Sequence, residues 1–189
     1  MEDRMYFDTT MAGFGGQGIM LIGNLFAYAA MEEGRQVTYM PTYGVEMRGG
    51  TANCTVVISD TVIGSPIIGH PMSAIVMNRP SLTRFGPTVK EGGLVLINES
   101  LIPDSLESRP DLRQVRVPAN DIAQKLGSDK MANMVMLGAF LELIGIVRPQ
   151  SVFDSFSHVL DERYHRLIPK NVEMITAGIE FATKNGGKP

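Results

Sequence analysis

The order of apolar and polar residues in the first forty positions predicts a strand, a helix and a second strand. Residues 5–12 are an extended apolar segment, and a run from about Gly16 to Glu33 then carries Ile, Leu, Met and Ala at helical spacing. Gly34 is a suitable helix stop, and β-branched and aromatic side chains make residues 36–40 typical of a short strand. These segments predict one β-α-β unit with the usual right-handed crossover.

Four later segments are apolar enough to form strands: residues 51–59, 73–78, 94–98 and 113–117. The second and third of them are short continuous apolar runs, which are typical of the middle of a parallel sheet. Residues 60–68 are interpreted as a hairpin partner of the first, with a break at Gly64-Ser65-Pro66. This part of the chain is therefore expected to consist of strands joined by turns and short loops.

The last third of the chain predicts helices. Pro118 opens a helix to about Leu126, and three more helical segments follow: Met131 to Ile146, a segment that restarts at 148–151 and ends near Leu160, and roughly Leu167 to Lys184. No internal repeat or change in composition marks a second domain. The chain is therefore expected to be a single α/β domain over residues 1–189, with residues 185–189 as a frayed tail.

The composition fits one folded domain and excludes several partners. A chain of 189 residues with 44% hydrophobic content can bury one sizeable core. The net charge is −3 and the 17 Lys and Arg residues are scattered, so nucleic acid is not expected as a partner. Cys54 is the only cysteine, which excludes an internal disulfide and any four-cysteine iron–sulfur or zinc site within this chain. Iron–sulfur clusters in its chemistry would belong to another chain.

The sequence also predicts where the chain works. The first ten residues contain acids and lack an apolar core of signal-peptide length, so a cytoplasmic location is expected. The most apolar later stretch, residues 131–146, is interrupted by Asn133 and Glu142 and is shorter than the roughly 20 residues that span a bilayer. It is interpreted as a buried helix, and no membrane partner is expected.

The glycine loop of residues 12–19, AGFGGQGI, raises the question of a dinucleotide. Gly13, Gly15 and Gly18 have the spacing G-x-G-x-x-G of dinucleotide-binding loops. Such a site also needs an acid at the end of the second strand, where this chain has Tyr-Met-Pro-Thr at 39–42. The missing acid argues against NAD or a flavin. It favours a loop for close packing, whose helix N-terminus is free to meet an anion or a partner backbone.

A second unusual segment, PTYGVEMRGG, follows the second predicted strand at residues 41–50. Glu46 and Arg48 would point the same way in an extended segment and could each meet a partner group of opposite charge. Gly49 and Gly50 would let another backbone come close. An interface fits this composition, and so does an exposed loop with a local ion pair of little energetic value.

Other reactive side chains are expected to be structural. Cys54 lies in a β-branched strand without a neighbouring histidine and is interpreted as an inert buried thiol. His70, His158 and His165 lack the spacing of metal ligands. The methionines of the apolar helix are interpreted as core side chains and not as a cofactor lining: Met131, Met134 and Met136.

Five segments in this order resemble the gamma subunit of 2-oxoacid:ferredoxin oxidoreductases: GFGGQGIMLIGNLFAYAA, TYMPTYGVEMRGGTANCTVVIS, NRPSLTRF, KEGGLVLIN and KMANMVMLGAFLELIGIV. The resemblance covers about residues 5–180, and its most specific part is the G-G-Q-G turn followed some 25 residues later by P-x-Y-G-x-E-x-R-G-G. The chain looks most like the gamma chain of the 2-oxoglutarate enzyme. The 2-oxoisovalerate, pyruvate and indolepyruvate enzymes are close relatives.

The resemblance implies a doubly wound, Rossmann-like α/β sheet with flanking helices that works only in an assembly. Alpha and beta chains would hold thiamine diphosphate, with a ferredoxin-like delta chain as a further candidate partner, and iron–sulfur clusters in partner chains would carry electrons to ferredoxin. The complex would convert a 2-oxoacid and coenzyme A to an acyl-CoA and carbon dioxide. Isolated, the chain is expected to form a homo-oligomer.

The resemblance also carries over two sets of positions, none of them catalytic and none a metal ligand. The first loop is expected to face coenzyme A or a partner chain through Gly13, Gly15, Gly16, Gln17 and Gly18. The second is expected to lie in an interface through Tyr43, Gly44, Glu46, Arg48, Gly49 and Gly50. Two functions of other classes stay open: a free-standing nucleotide-binding oxidoreductase that uses the glycine loop, and a module that dimerises through its helical third.

Overall fold

A computed structural model describes residues 4–44, 50–103 and 106–185. Within them, six strands form one mixed sheet: β1 Tyr6–Phe14, β2 Gln36–Tyr43, β3 Thr51–Ser59, β4 Ser73–Val76, β5 Leu94–Asn98 and β6 Arg113–Val117. The helices that flank this sheet are α1 Ile19–Glu32, α2 Arg79–Phe85, α3 Ala119–Lys125, α4 Ala132–Ile144, α5 Pro149–Val159 and α6 Ile168–Asn185. Short 3-10 turns occupy Gly86–Thr88 and Glu162–Leu167. The expected single α/β domain with flanking helices is confirmed.

The sheet is wound in both directions from β1. Its strand order is β2-β3-β1-β4-β5-β6. β1, β4, β5 and β6 pair in parallel, whereas β3 is antiparallel to both of its neighbours. The chain leaves β1 toward β2 on one side and later continues from β4 on the other side. The crevice beyond the carboxyl ends of β1 and β4 is therefore the topological switch point, where ligands bind in sheets of this kind.

Two features of the sheet differ from the sequence-based expectation. β1 and β2 are parallel, but β3 lies between them, so they form no adjacent β-α-β pair. Residues 60–68 are not a strand, and β2 takes the place of hairpin partner by pairing with residues 52–59 of β3. Gly64 and Pro66 interrupt residues 60–68, whereas β2 has eight residues that pair in continuous register.

The larger core lies between the sheet and the α1 and α4 helices. Phe26 of α1 and Phe140 of α4 meet edge to face with ring centroids 5.4 Å apart, and Phe7 of β1 contacts both rings. Met134 and Met136 are fully buried in this core, as predicted. No helix among the described residues is both long and apolar enough to cross a bilayer, and α4 is the buried helix that the sequence indicates.

Helix α4 is apolar on nearly all sides because it is packed between the sheet and α6. At their crossing, a Cβ added to Gly138 would lie 2.0 Å from the Ile175 carbonyl oxygen, and one added to Gly178 would lie 2.0 Å from the Val135 carbonyl oxygen. The two backbones are therefore in direct contact. This close approach requires glycine at both positions.

A short helix, α2, covers the opposite face of the sheet, and the hydrophobic pattern did not predict it. Its N-cap is Asn78, whose Oδ1 accepts a hydrogen bond of 2.9 Å from the Ser81 amide, and Pro80 lies in its first turn. Leu82 joins a second, smaller core with residues of β4 and β5. The Asn-Arg-Pro-Ser sequence at 78–81 was the available signal for this helix.

Candidate functional site

The glycine loop connects β1 to α1 through two backbone conformations that favour glycine. Gly16 has φ of +99° and Gly18 has φ of +71°. Gly18 is also the N-cap of α1, and a Cβ there would lie 2.2 Å from Asn133 Nδ2. Gly13 has a third role, because a Cβ on it would collide with the Gln17 amide and the Ile19 side chain. Each of these three positions therefore favours glycine for a different structural reason.

Gln17 folds back into the loop and ties it to the end of β4. Its Oε1 accepts hydrogen bonds from the Phe14 amide at 2.7 Å and from Asn78 Nδ2 at 3.0 Å. Its Nε2 donates to the Met77 carbonyl at 3.4 Å. A side chain of the protein thus fills the inner side of the loop and connects the carboxyl ends of the two strands that flank the switch point.

The outer side of the loop presents the N-terminus of α1. No side chain caps this helix, and the amides of Ile19, Met20 and Leu21 have no acceptor within the described residues. Unpaired amides and the helix dipole together give this end a partial positive charge. This end of the helix can therefore meet an anion or a partner backbone, and which of the two it meets stays a prediction.

Beside the loop lies a cavity of about 380 Å³, which we call the switch-point cleft. It is lined by the loop, by the residue that follows β4 and by residues around the starts of α3 and α4: Gly16, Gln17, Met77, Asn120, Asp129, Lys130, Ala132 and Asn133. Its lining is part polar and part apolar, and it includes one basic and one acidic residue, Lys130 and Asp129.

Two buried asparagines fix the walls of this cleft. Asn133, in the first turn of α4, is 5% exposed and donates from Nδ2 to the Gly18 carbonyl at 3.3 Å. Asn98, the last residue of β5, is fully buried and donates from Nδ2 to Asn120 Oδ1 at 2.8 Å. The oxygen of Asn120 is thereby occupied. Within the described residues its Nδ2 has no hydrogen-bond acceptor, so this group can donate to a ligand in the cleft.

Sequence reasoning did not find Lys130, Asn120 or Asn133 as site residues. They lie more than 100 positions after the loop, and only the fold brings them beside it. Asn133 had one signal, since it is a polar residue near the start of an otherwise apolar helix. In the hydrophobic pattern, this residue only interrupts the apolar stretch.

The structure brings the second predicted segment next to the glycine loop. The Gly15 amide donates to the Gly50 carbonyl at 2.9 Å, and the Gly44 amide donates to the Thr51 carbonyl at 2.7 Å. Tyr43, at the end of β2, is 68% exposed. Glu46, Arg48 and Gly49 lie outside the described residues, so their place in an interface stays a prediction.

The remaining reactive side chains have structural surroundings. Burial raises the pKa of the Cys54 thiol to about 12, and its Sγ lies 3.7 Å from the Ile19 carbonyl oxygen. Each of the three histidines contacts a different part of the protein. His70 lies against the Thr88 carbonyl, His158 stacks on Tyr28, and His165 lies against the Leu160 carbonyl. The described residues contain no group of three or more candidate metal ligands.

A Rossmann-like α/β domain with a cleft at its switch point belongs to the class of domains that receive a ligand beyond the carboxyl ends of their strands. This chain belongs to the pyruvate ferredoxin/flavodoxin oxidoreductase family, whose model matches residues 8–181. The resemblance drawn from the sequence is therefore confirmed at the level of the family.

Two relatives contain this domain in polypeptides of different length. The ketoisovalerate oxidoreductase subunit VorA of Methanothermobacter marburgensis is 38% identical over 176 residues, which are 93% of this chain and 36% of the relative. The 2-oxoglutarate synthase subunit KorC of Methanocaldococcus jannaschii is 31% identical over 181 residues, which are 95% of both chains. The chain thus spans about a third of the ketoisovalerate relatives and nearly the whole of the 2-oxoglutarate ones.

Solved structures share the fold. A keto/oxoacid ferredoxin oxidoreductase gamma subunit from Geobacter sulfurreducens superposes with a TM-score of 0.82 at 23% identity, covering 96% of this chain and 98% of that one. A 2-oxoglutarate:ferredoxin oxidoreductase from Magnetococcus marinus, solved with 2-oxoglutarate, coenzyme A and succinyl-CoA, gives 0.86 at 22% identity and covers 95% of this chain and 31% of that one.

Proposed function

We propose that this chain is the gamma component of a 2-oxoacid:ferredoxin oxidoreductase, and that its substrate is 2-oxoglutarate. A relative that matches it over 95% of both chains is a 2-oxoglutarate synthase subunit, which supports this substrate. The ketoisovalerate relative has the higher identity, 38%, and makes 2-oxoisovalerate the alternative. The chain would act in the cytoplasm with alpha and beta partners and, in some assemblies, a ferredoxin-like delta chain.

The residues of this chain do not fit the redox cofactors of such a complex. One buried cysteine with a raised pKa cannot supply the four thiolates of an iron–sulfur cluster. The sequence also lacks the G-D-G and Asn-Asn pattern of thiamine diphosphate sites. The partner chains would therefore hold thiamine diphosphate and the clusters, and this chain would contribute assembly and ligand contacts without a catalytic residue.

The switch-point cleft is the proposed contact with coenzyme A, and one observation carries this proposal: Lys130 lines the cleft together with Gly16 and Gln17 of the loop that leads into α1. An ammonium group attracts a phosphate, and Asn120 adds a hydrogen-bond donor. The glycine loop would act by placing the amides of α1. Because Gln17 occupies its inner side and β2 ends without an acid, the loop is not proposed to hold NAD or a flavin.

The segment around the β2 and β3 ends is the proposed interface with a partner chain. Gly50 bonds to the glycine loop, Gly44 bonds to Thr51, and exposed Tyr43 ends β2 one strand farther out, which supports a partner surface that extends from the loop across these strand ends. Glu46, Arg48 and Gly49 are proposed to belong to the same interface. A partner backbone close to these glycines would complete the wall of the coenzyme A path.

Lys130→Ala in the assembled complex tests the coenzyme A contact. Removing one phosphate-binding charge should raise the KM for coenzyme A on the order of 10-fold and leave the KM for the 2-oxoacid unchanged. Lys125→Ala is the matched control, because Lys125 is an exposed lysine of the neighbouring helix that does not line the cleft. An unchanged KM for coenzyme A, or an equal rise in both variants, would remove the cleft from the proposal.

A further inference from the structure

The sheet has two edge strands, β6 and β2, and they differ in charge. β6 contains Arg113 and Arg116, and charged side chains commonly protect a sheet edge against further pairing. β2, at the other edge, has no Asp, Glu, Lys, Arg or His in residues 36–43. With eight residues it is also longer than most strands, and all of its residues are half-buried or exposed. The β2 edge therefore lacks the protection that β6 has.

The register of the sheet shows which backbone groups of β2 point outward. The Gly44 amide donates to the Thr51 carbonyl at 2.7 Å, and these two residues continue the β2–β3 register. Hydrogen-bonded pairs recur at every second residue of an antiparallel ladder, so the backbone groups of even-numbered residues in β2 face β3. Those of Val37 and Tyr39 therefore point away from the sheet. The nitrogen of Pro41 lies on the same outer side, so this proline removes no hydrogen bond to β3.

The outward backbone groups have no partner in the described part of the chain. β2 pairs there with β3 alone, and the amides and carbonyls of Val37 and Tyr39 make no other hydrogen bond among these residues. One side chain of the strand is unpaired as well: within the described residues, Thr38 Oγ1 is buried without a hydrogen-bond partner. A sheet edge with free donors and acceptors is a template for another extended chain.

The sequence of β2 is complementary to a second, antiparallel copy of itself. When the two-fold axis passes through Thr38, Val37 of each copy lies opposite Tyr39 of the other, and the two residues exchange amide–carbonyl hydrogen bonds. This register forms aromatic–β-branched pairs on one face of the sheet and a pair of threonines on the other, both of which are favourable across strands. Gln36 lies opposite Met40, so no like charges meet.

The neighbouring registers form fewer hydrogen bonds. With the axis at Tyr39, Val37 would lie opposite Pro41, which has no N–H to donate. With the axis at Val37, Tyr39 would lie opposite Arg35, whose amide already donates to a carbonyl of α1. The axis at Thr38 lets both outward amides bond. It also brings together the unpaired threonine hydroxyls of the two copies, and rotation about χ1 lets one donate to the other.

We propose that two copies of this chain pair through residues 36–40 of β2 and form one continuous sheet. The same five residues supply the donors, the acceptors and the cross-strand partners on both sides, which identifies the occupant of this edge as a second copy. The contact is separated from β1 and its glycine loop by β3. It assigns self-association to the edge of the sheet and not to the helical third, and it does not depend on the proposed function.

Sedimentation equilibrium of the isolated chain tests this contact, and the wild type should form a dimer. Thr38→Lys places two ammonium groups opposite each other at the two-fold axis and should weaken the dimer on the order of 100-fold. Thr42→Lys is the matched control and should dimerise as the wild type does, because Thr42 is an exposed threonine of the same strand beyond the paired residues. An equimolar mixture of Thr38→Lys and Thr38→Glu should restore the dimer.

Hydrogen exchange of the wild type tests the same register without a substitution, so it stands even where Thr38→Lys does not fold. The amides of Val37 and Tyr39 should gain protection as the protein concentration rises, because they become hydrogen-bonded only in the dimer. The amide of Tyr43 is the internal control. It also points outward, but it lies beyond the paired residues and should exchange at the same rate at every concentration.

The outcomes separate this contact from the proposed function. A monomeric wild type at every concentration, or Thr38→Lys that dimerises as the wild type does, would overturn the proposal. Unchanged exchange at Val37 and Tyr39 in a dimeric protein would place the contact elsewhere and overturn it too. A monomeric chain whose Thr38→Lys variant no longer joins the partner chains would assign the edge to a partner strand instead. The gamma role stands in each case, because turnover of the complex tests it separately.

Discussion

At the scale of single residues, Gln17 holds the glycine loop from its inner side. The loop has the glycine spacing of dinucleotide-binding loops, and the Gln17 side-chain oxygen accepts hydrogen bonds from the Phe14 amide and from Asn78 Nδ2. The sequence alone identified the loop and, through the missing acid after β2, argued against NAD. It could not show that Gln17 turns inward, because its partners Met77 and Asn78 lie 60 and 61 positions away.

Gln17→Ala should destabilise the fold by about 1–3 kcal/mol, because the Phe14 amide and the Asn78 amide lose a partly buried acceptor. Urea denaturation of the isolated chain measures this difference. Gln150→Ala is the control, since Gln150 makes one exposed hydrogen bond to Asp154 and should cost less than about 0.5 kcal/mol. Equal costs for the two variants would contradict the role of Gln17 as the loop's internal partner.

Cys54 should make the protein less stable at alkaline pH. The unfolded thiol ionises near pH 9.0, whereas burial raises the pKa of the folded thiol to about 12. The unfolded state therefore releases its proton first, and the free energy of unfolding should fall by up to about 1.4 kcal/mol per pH unit between these values.

Chemical denaturation of wild type and Cys54→Ala at several pH values isolates this contribution from that of other groups. The stability difference between the two proteins should be constant below pH 8 and should shrink as the pH rises above 9.0. A difference that stays constant up to pH 11 would show that the thiol is not held protonated by burial.

At the scale of elements, the hydrophobic pattern predicted the positions of most strands and helices but not which strands lie next to each other in the sheet. The predicted strands at 51–59, 94–98 and 113–117 match β3, β5 and β6 residue for residue. The place of β3 between β1 and β2 depends on pairing between distant segments, which periodicity does not encode. The hydrophobic pattern does not predict α2 because this helix has only seven residues, of which two are buried. So few buried positions do not produce a helical periodicity in the sequence.

The crossing of α4 and α6 should be the least tolerant helix contact. Gly138→Ala would place a Cβ 2.0 Å from the Ile175 carbonyl oxygen, and the two helices must separate to accept it. We expect a loss of about 3 kcal/mol or more in the free energy of unfolding. Gly69→Ala is the control, because its Cβ would meet no atom within 4 Å. Equal melting temperatures for the two variants would contradict the close packing of these helices.

At the scale of the whole molecule, the fold makes one cleft from segments that are far apart in the sequence. The glycine loop was identified from its sequence, yet Lys130 and Asn133 come from a turn and a helix more than 100 positions later. Only the carboxyl ends of the parallel strands bring these segments together. The sequence therefore located one wall of the candidate site, and the fold supplied the opposite wall with Lys130 and Asp129.

Reconstitution of turnover from separate chains tests the proposed gamma role most directly. Purified alpha and beta chains of the complex, with any ferredoxin-like chain, are assayed for ferredoxin reduction that depends on 2-oxoglutarate and coenzyme A, with and without this chain. The account predicts turnover only in the complete mixture, and neither turnover nor thiamine diphosphate binding by this chain alone. Turnover by the isolated chain, or full activity of the partner chains without it, would contradict the account.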